Sequence, residues 1–172
     1  IIYFLREYLF KKKENKGIRE IFESSQSKTK NLPGYKIPSH FINGLLTVAF
    51  GGSTGIEVST VVATATIGSV AQQKENLFRK HKTELISAGV AAGITALFSS
   101  PIAGILFALE VISKKPSKTF FLTTIIAVLM AFGLIAVLNE TPLFAINVPM
   151  WHWHAMPYFI LLGILAAVHS VY

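Results

Sequence analysis

Ser99-Ser100-Pro101-Ile102-Ala103-Gly104-Ile105-Leu106-Phe107-Ala108-Leu109-Glu110 interrupts and then resumes an apolar run, residues 85–109, that holds no charge. Serine before proline is a helix-start signal. The hydroxyl caps a free amide, and proline fills a first-turn position whose N–H would have no partner anyway. One apolar helix therefore ends near Phe98 and another begins at Pro101. A second interruption lies upstream. Residues 41–73 carry a single charge, Glu57, which follows Gly51-Gly52-Ser53-Thr54-Gly55 and precedes Ser59-Thr60 and an apolar run to Val70. Glycines followed by small hydroxyl residues again predict one helix ending and another starting.

Breaks of this kind are costly in a bilayer, where no water satisfies the freed backbone groups. They persist only when buried in protein or lining a watery cavity. Two broken apolar segments are the sequence pattern of a transport site built from discontinuous helices.

The rest of the chain agrees with a membrane setting. Of its 172 residues 52% are hydrophobic and 15% charged, and its mean hydropathy is +0.53. A soluble domain has about a quarter of its residues charged. Residues 119–138 (TFFLTTIIAVLMAFGLIAVL) are uncharged and long enough for one span, which needs about 20 apolar residues. Residues 141–172 also lack Asp, Glu, Lys and Arg. The fold class expected is all-α: a polytopic membrane protein of tilted, broken helices. The sequence begins without Met and stops within an apolar run, so a fragment truncated at both ends, 1–172, is expected.

The net charge of +7 could be read as a nucleic-acid surface, but its distribution favours juxtamembrane lysines obeying the positive-inside rule, and no nucleic-acid partner is expected. The clusters Lys11 to Lys36, Lys74 to Lys82 and Lys114 to Lys118 are placed in the cytoplasm. Residues 139–157, with Trp151-His152-Trp153, are placed on the opposite side. Ser24 to Ser39 reads as a hydrophilic loop. Cysteine is absent, so disulfides and thiolate metal sites are excluded.

Glu57 is the residue that invites chemistry. A carboxylate deep in a membrane costs several kcal/mol unless paired, solvated or protonated. It falls at the start of the helix after the break, where free amides and the dipole favour an anion. It can therefore occupy the place of a transported anion and compete with it. The alternative is a simple capping carboxylate. Lys16-Gly17-Ile18-Arg19-Glu20 opens a short amphipathic segment, Ile18 to Phe22, which reads either as an anion-attracting helix start or as a solvated basic linker. Glu110 ends an apolar helix near Lys114-Lys115, as a boundary charge or as something more. Gly89 and Gly93 have the small-xxx-small spacing of close helix packing. His152 and His154 would share a face in a strand, yet a metal needs three or four ligands and no third is evident; no metal site is expected. Ser99 and Ser100 have no base placed to activate them, which argues against an intramembrane enzyme.

These segments resemble the CLC family of chloride channels and proton-coupled chloride transporters. Residues 99–110 resemble the family's F-N-A-P-x-A-G-x-L-F-x-x-E segment, the most specific match. Gly55-Ile56-Glu57-Val58-Ser59 resembles G-x-E-G-P, with Ile67-Gly68 in register, and Asn15-Lys16-Gly17-Ile18-Arg19 resembles G-S-G-I-P more weakly. The resemblance implies two inverted repeats per subunit, of which this chain would hold most of the first, in a homodimer with one pore per subunit. It implies that Glu57 is the gating glutamate and that Lys16, Gly17, Ile18, Gly55, Ile56, Glu57 and Val58 border the anion site. It also implies an inner vestibule near Glu110 and Val111, with chloride or a related anion as permeant ligand and no other cofactor. Exchangers of the family carry a second, inner glutamate where this chain has Val111, so the resemblance points to a gated chloride channel, with a chloride/proton antiporter as the alternative. A multi-pass protein of a bacterial plasma membrane is the expected setting.

Overall fold

The computed structural model describes residues 17–27, 29–52, 56–74, 80–113, 116–138, 150 and 152–171. Among the described residues there are seven α-helices: α1 (Ile18–Gln26), α2 (Lys36–Ala49), α3 (Ile56–Lys74), α4 (Lys82–Phe98), α5 (Pro101–Val111), α6 (Lys118–Leu138) and α7 (Met156–Val171). A 3-10 turn, Trp153–Ala155, leads into α7. No strand occurs among the described residues, and His152 and His154 therefore do not share a strand face. The hydrophilic loop is shorter than the sequence suggests: α1 runs on to Gln26 and α2 starts at Lys36, leaving residues 27 and 29–35 outside the helices.

Both breaks lie where the sequence puts them, and they are built differently. At the end of α2 the Gly51 amide donates to the Val48 carbonyl at 3.0 Å and the Gly52 amide to the Thr47 carbonyl at 2.7 Å. Gly51 takes φ 72°. This is the paired-bond stop that glycine makes cheaply because it has no Cβ to clash. At the end of α4, Ser99 takes φ 51° and ψ 31°, a left-handed conformation for a residue with a side chain. Ser100 then caps α5 by accepting from the Ala103 amide at 3.4 Å, with Pro101 at the first helical position. An L-residue in the left-handed region costs about 1–2 kcal/mol, against a smaller entropic cost for glycine. Ser99→Gly is expected to stabilise the full-length protein by roughly 0.5–1 kcal/mol, read as a higher midpoint of thermal unfolding in detergent. A lower midpoint would show that the Ser99 side chain does more at this corner than tolerate the strain.

The core is organised around α4, which packs on α3, α5 and α6. It contains Val61, Val62 and Ala65 from α3, Ile86, Val90, Ala91 and Ile94 from α4, Ala108 from α5, and Phe120 and Val128 from α6. The α3–α4 crossing brings backbone to backbone. A Cβ added at Gly68 would overlap the Leu85 carbonyl of α4, and one added at Gly89 would overlap the Thr64 carbonyl of α3. Gly93 faces the Thr64 side chain in the same seam. The small-xxx-small pattern is thus packing, as its spacing suggests.

The outer helices are apolar without being covered. In α6, Phe120, Thr124 and Val128 form the buried stripe, while Leu122, Ile126, Leu129, Met130 and Leu134 stand exposed. Lys118–Leu138 has 21 residues and a mean hydropathy of 2.7 over its most apolar window; Trp153–Ser170 has 18 residues and 1.3. Such helices suit lipid or further protein as their surroundings, not water.

α1 and its loop are attached mainly by side chains bonded to backbone carbonyls. Gln26 Nε2 donates to the Ile112 carbonyl at 3.1 Å, Thr83 Oγ1 to the Ser25 carbonyl at 2.7 Å, and Lys82 Nζ to the Ser27 carbonyl at 2.8 Å. The Leu32 amide donates to Ser69 Oγ at 3.2 Å.

Candidate functional site

Two helix starts meet at the predicted site. The first is α3, which begins at Ile56 and carries Glu57 in its first turn. The first amides of a helix have no partner within it, and the aligned peptide dipoles place about half a positive charge there. The second is α1. Its N-cap is Gly17, at φ 56° and ψ −135°, with no side-chain cap. That backbone is accessible to glycine because it lacks a Cβ. A Cβ built at Gly17 would lie 3.7 Å from Val58 Cγ1. The Gly17 and Val58 segments, separated by the whole of α2 in sequence, are therefore in contact range at the N-terminal ends of α1 and α3.

The side chains around this junction are disposed unequally. Ile18 is half-buried and packs on the core, which anchors the start of α1. Val58 is 43% exposed, and Ile56 and Glu57 are half-exposed. Among the described residues no side chain bonds or pairs with the Glu57 carboxylate. Lys16 and Gly55, also expected at the site, lie outside the described residues.

Glu110 and Val111 are not part of this junction. They end α5, where Glu110 is exposed and Val111 packs on the core. Beside them, Gln26 at the far end of α1 reaches the Ile112 carbonyl. α1 has nine residues, so roughly 13 Å of helix, at 1.5 Å per residue, separates that end from Gly17.

Sequence reasoning missed a buried polar cluster under the start of α1. Lys36 closes the first juxtamembrane basic cluster of the sequence, but its side chain is only 4% exposed and its Nζ forms an ion pair with Glu20 Oε2. Ser39 and His40, on the same helix, are buried too. The phenol of Tyr35 is pushed up from its ordinary range, by burial first and then by the nearby Glu20 carboxylate. Arg19, by contrast, is exposed and pairs with Glu23 at 3.4 Å. The signal was present: Lys36 and His40 lie one helical turn apart at the start of an otherwise apolar helix. A charge in such a place needs a partner.

Comparison with known proteins gives one consistent result. The family model described as "Voltage gated chloride channel" matches residues 1–172. The H(+)/Cl(-) exchange transporter 5 of Oryctolagus cuniculus is 32% identical over 133 residues, covering 72% of this chain and 16% of the transporter. The human protein of the same name matches with the same identity and coverage. A probable chloride channel protein of Mycosarcoma maydis is 29% identical over 137 residues, covering 74% of this chain and 12% of that protein. The chain thus spans less than a fifth of the length of these relatives. Together with the all-helical fold and its broken apolar helices, the match over the full sequence means that this chain belongs to the voltage-gated chloride channel family of integral membrane proteins.

Proposed function

We propose that the chain supplies part of the anion pathway of a chloride channel, with Glu57 as its gate and Gly17, Ile18, Ile56 and Val58 bordering the anion. One observation carries this reading: the starts of α1 and α3 meet at Gly17 and Val58, and the first turn of α3 holds a carboxylate that pairs with no side chain among the described residues. Two converging helix starts attract an anion. A carboxylate placed there competes with that anion while charged and yields to it when protonated or displaced. Lys16 and Gly55 complete the site in this reading. The remaining pathway comes from the rest of a longer polypeptide, working as a homodimer in a bilayer. The test is chloride efflux from liposomes holding the full-length protein, compared with its Glu57→Gln variant.

A second reading, chloride/proton antiport, is favoured by the names of the mammalian relatives, which are exchange transporters. Against it, Val111 stands where exchangers of the family carry the inner glutamate. The two readings separate cleanly. On imposing a chloride gradient across liposomes, the channel reading expects no proton movement beyond that of a protonophore-free control. Uphill proton uptake at a fixed ratio to chloride would reject the channel and establish exchange.

A further inference from the structure

The site proposed above needs positive potential at the start of α1, yet α1 carries an acid in its own first turn. Glu20 is the third residue of the helix after its Gly17 cap, and its amide donates to the Gly17 carbonyl at 3.2 Å. An acid there interacts favourably with the same helix end that an anion would use. Uncompensated, it would lower the affinity of that end for a permeating anion.

We propose that Lys36 is a positioning residue of the anion site: by pairing with Glu20 it cancels the carboxylate charge at the start of α1 and leaves that helix end available to chloride. This inference rests on the anion-pathway reading. Four observations support it. Glu20 pairs with Lys36 across the loop between the two helices. Among the described residues, Arg19 and Lys30 are taken by Glu23, at 3.4 Å and 3.2 Å, and Lys82 donates to the Ser27 carbonyl at the far end of α1. Lys36 is buried at the start of α2, so its ammonium is not free to serve as a surface attractor. His40, one turn along, is buried too, so Lys36 sits within a buried polar cluster and not in open solvent. Stability alone is a weak reason for such a pair, since buried ion pairs can often be replaced by apolar residues without loss.

Charge cancellation predicts shifts of opposite sign, which a structural bond does not. The experiment is calorimetric titration of the full-length protein with chloride. Glu20→Gln removes the competing acid and leaves Lys36 cationic, so chloride binds more tightly. Lys36→Met leaves the acid uncompensated, so chloride binds more weakly. Each shift is on the order of tenfold, the effect of a unit charge across roughly 10 Å at an effective dielectric of about 20. The double variant returns close to the wild-type affinity, and Lys36→Arg keeps it. If Lys36→Met does not fold, the Glu20→Gln protein and the double variant decide: tightening in the first that is reversed in the second supports the role. Single variants that leave the affinity unchanged, or shift it in the same direction, overturn the role of Lys36 while leaving the anion pathway standing. A folded wild-type protein that neither binds nor passes chloride overturns the pathway itself, and the pairing role with it.

Discussion

Chloride efflux through the Glu57→Gln protein is expected to exceed the wild-type rate at neutral pH by roughly tenfold, and to lose its dependence on pH. The substitution keeps the shape of the side chain and removes its charge. A carboxylate at a helix start gains up to about 2 kcal/mol from the free amides and the dipole there. A permeating anion must match that gain to displace it. With glutamine in place the anion meets no charged rival, and acidification has no carboxylate left to neutralise at this position. The absence of a cation beside Glu57 among the described residues strengthens the expectation. An ion pair would have held part of the charge in reserve, and the amide would then have left that partner unmatched. Initial rates of efflux measured from acid to neutral pH check the prediction. A variant that keeps the wild-type pH profile would remove Glu57 from the gate.

The second large effect concerns folding. Gly89→Val is expected to abolish recovery of folded full-length protein. The first carbon of the new side chain would overlap the Thr64 carbonyl on α3, a backbone atom that no rotamer change can move. Overpacking against side chains costs about 1–3 kcal/mol; against backbone, the two helices must separate. α4 is also the helix on which α3, α5 and α6 pack, so the damage spreads through the whole core. Gly133→Val is the control: a Cβ at Gly133, on α6, meets nothing within 4 Å. Size-exclusion profiles in detergent should show a monodisperse control and a lost or aggregated Gly89 variant. Equal profiles would mean that the α3–α4 seam is looser than its backbone contact implies.

The helices were legible in the sequence wherever the cause was local. The uncharged run 119–138 became α6, with one residue added at its start. Ser100 and Pro101 began α5 as a cap and a proline should, and Gly51 stopped α2. These signals lie within one turn of what they control. The site was legible in part: Glu57 stands out as the only charge in a long apolar stretch, and it does sit in the first turn of α3. What the sequence did not disclose was distant pairing. Lys36 is sixteen residues from Glu20, and a lysine beside a membrane helix looks the same in sequence whether it faces water or is buried against a carboxylate. The approach of Gly17 to Val58 is of the same kind. It depends on how α2 folds back between them, which no local pattern encodes.

The backbone seam between α3 and α4 bears finally on time. Helices that interlock through Gly68 and Gly89 cannot slide past one another by small steps. A displacement of α3 would need the seam to open, and collective helix motions of that kind take microseconds to milliseconds. Rotation of an exposed or half-exposed side chain takes picoseconds to nanoseconds. With α3 clamped, the fast degrees of freedom at its first turn are its side chains, and Glu57 is the charged one among them. In the proposed gate, flicker on the shortest timescale then belongs to that carboxylate, and a slower component to α1, whose side-chain ties to its neighbours can be released without parting the seam.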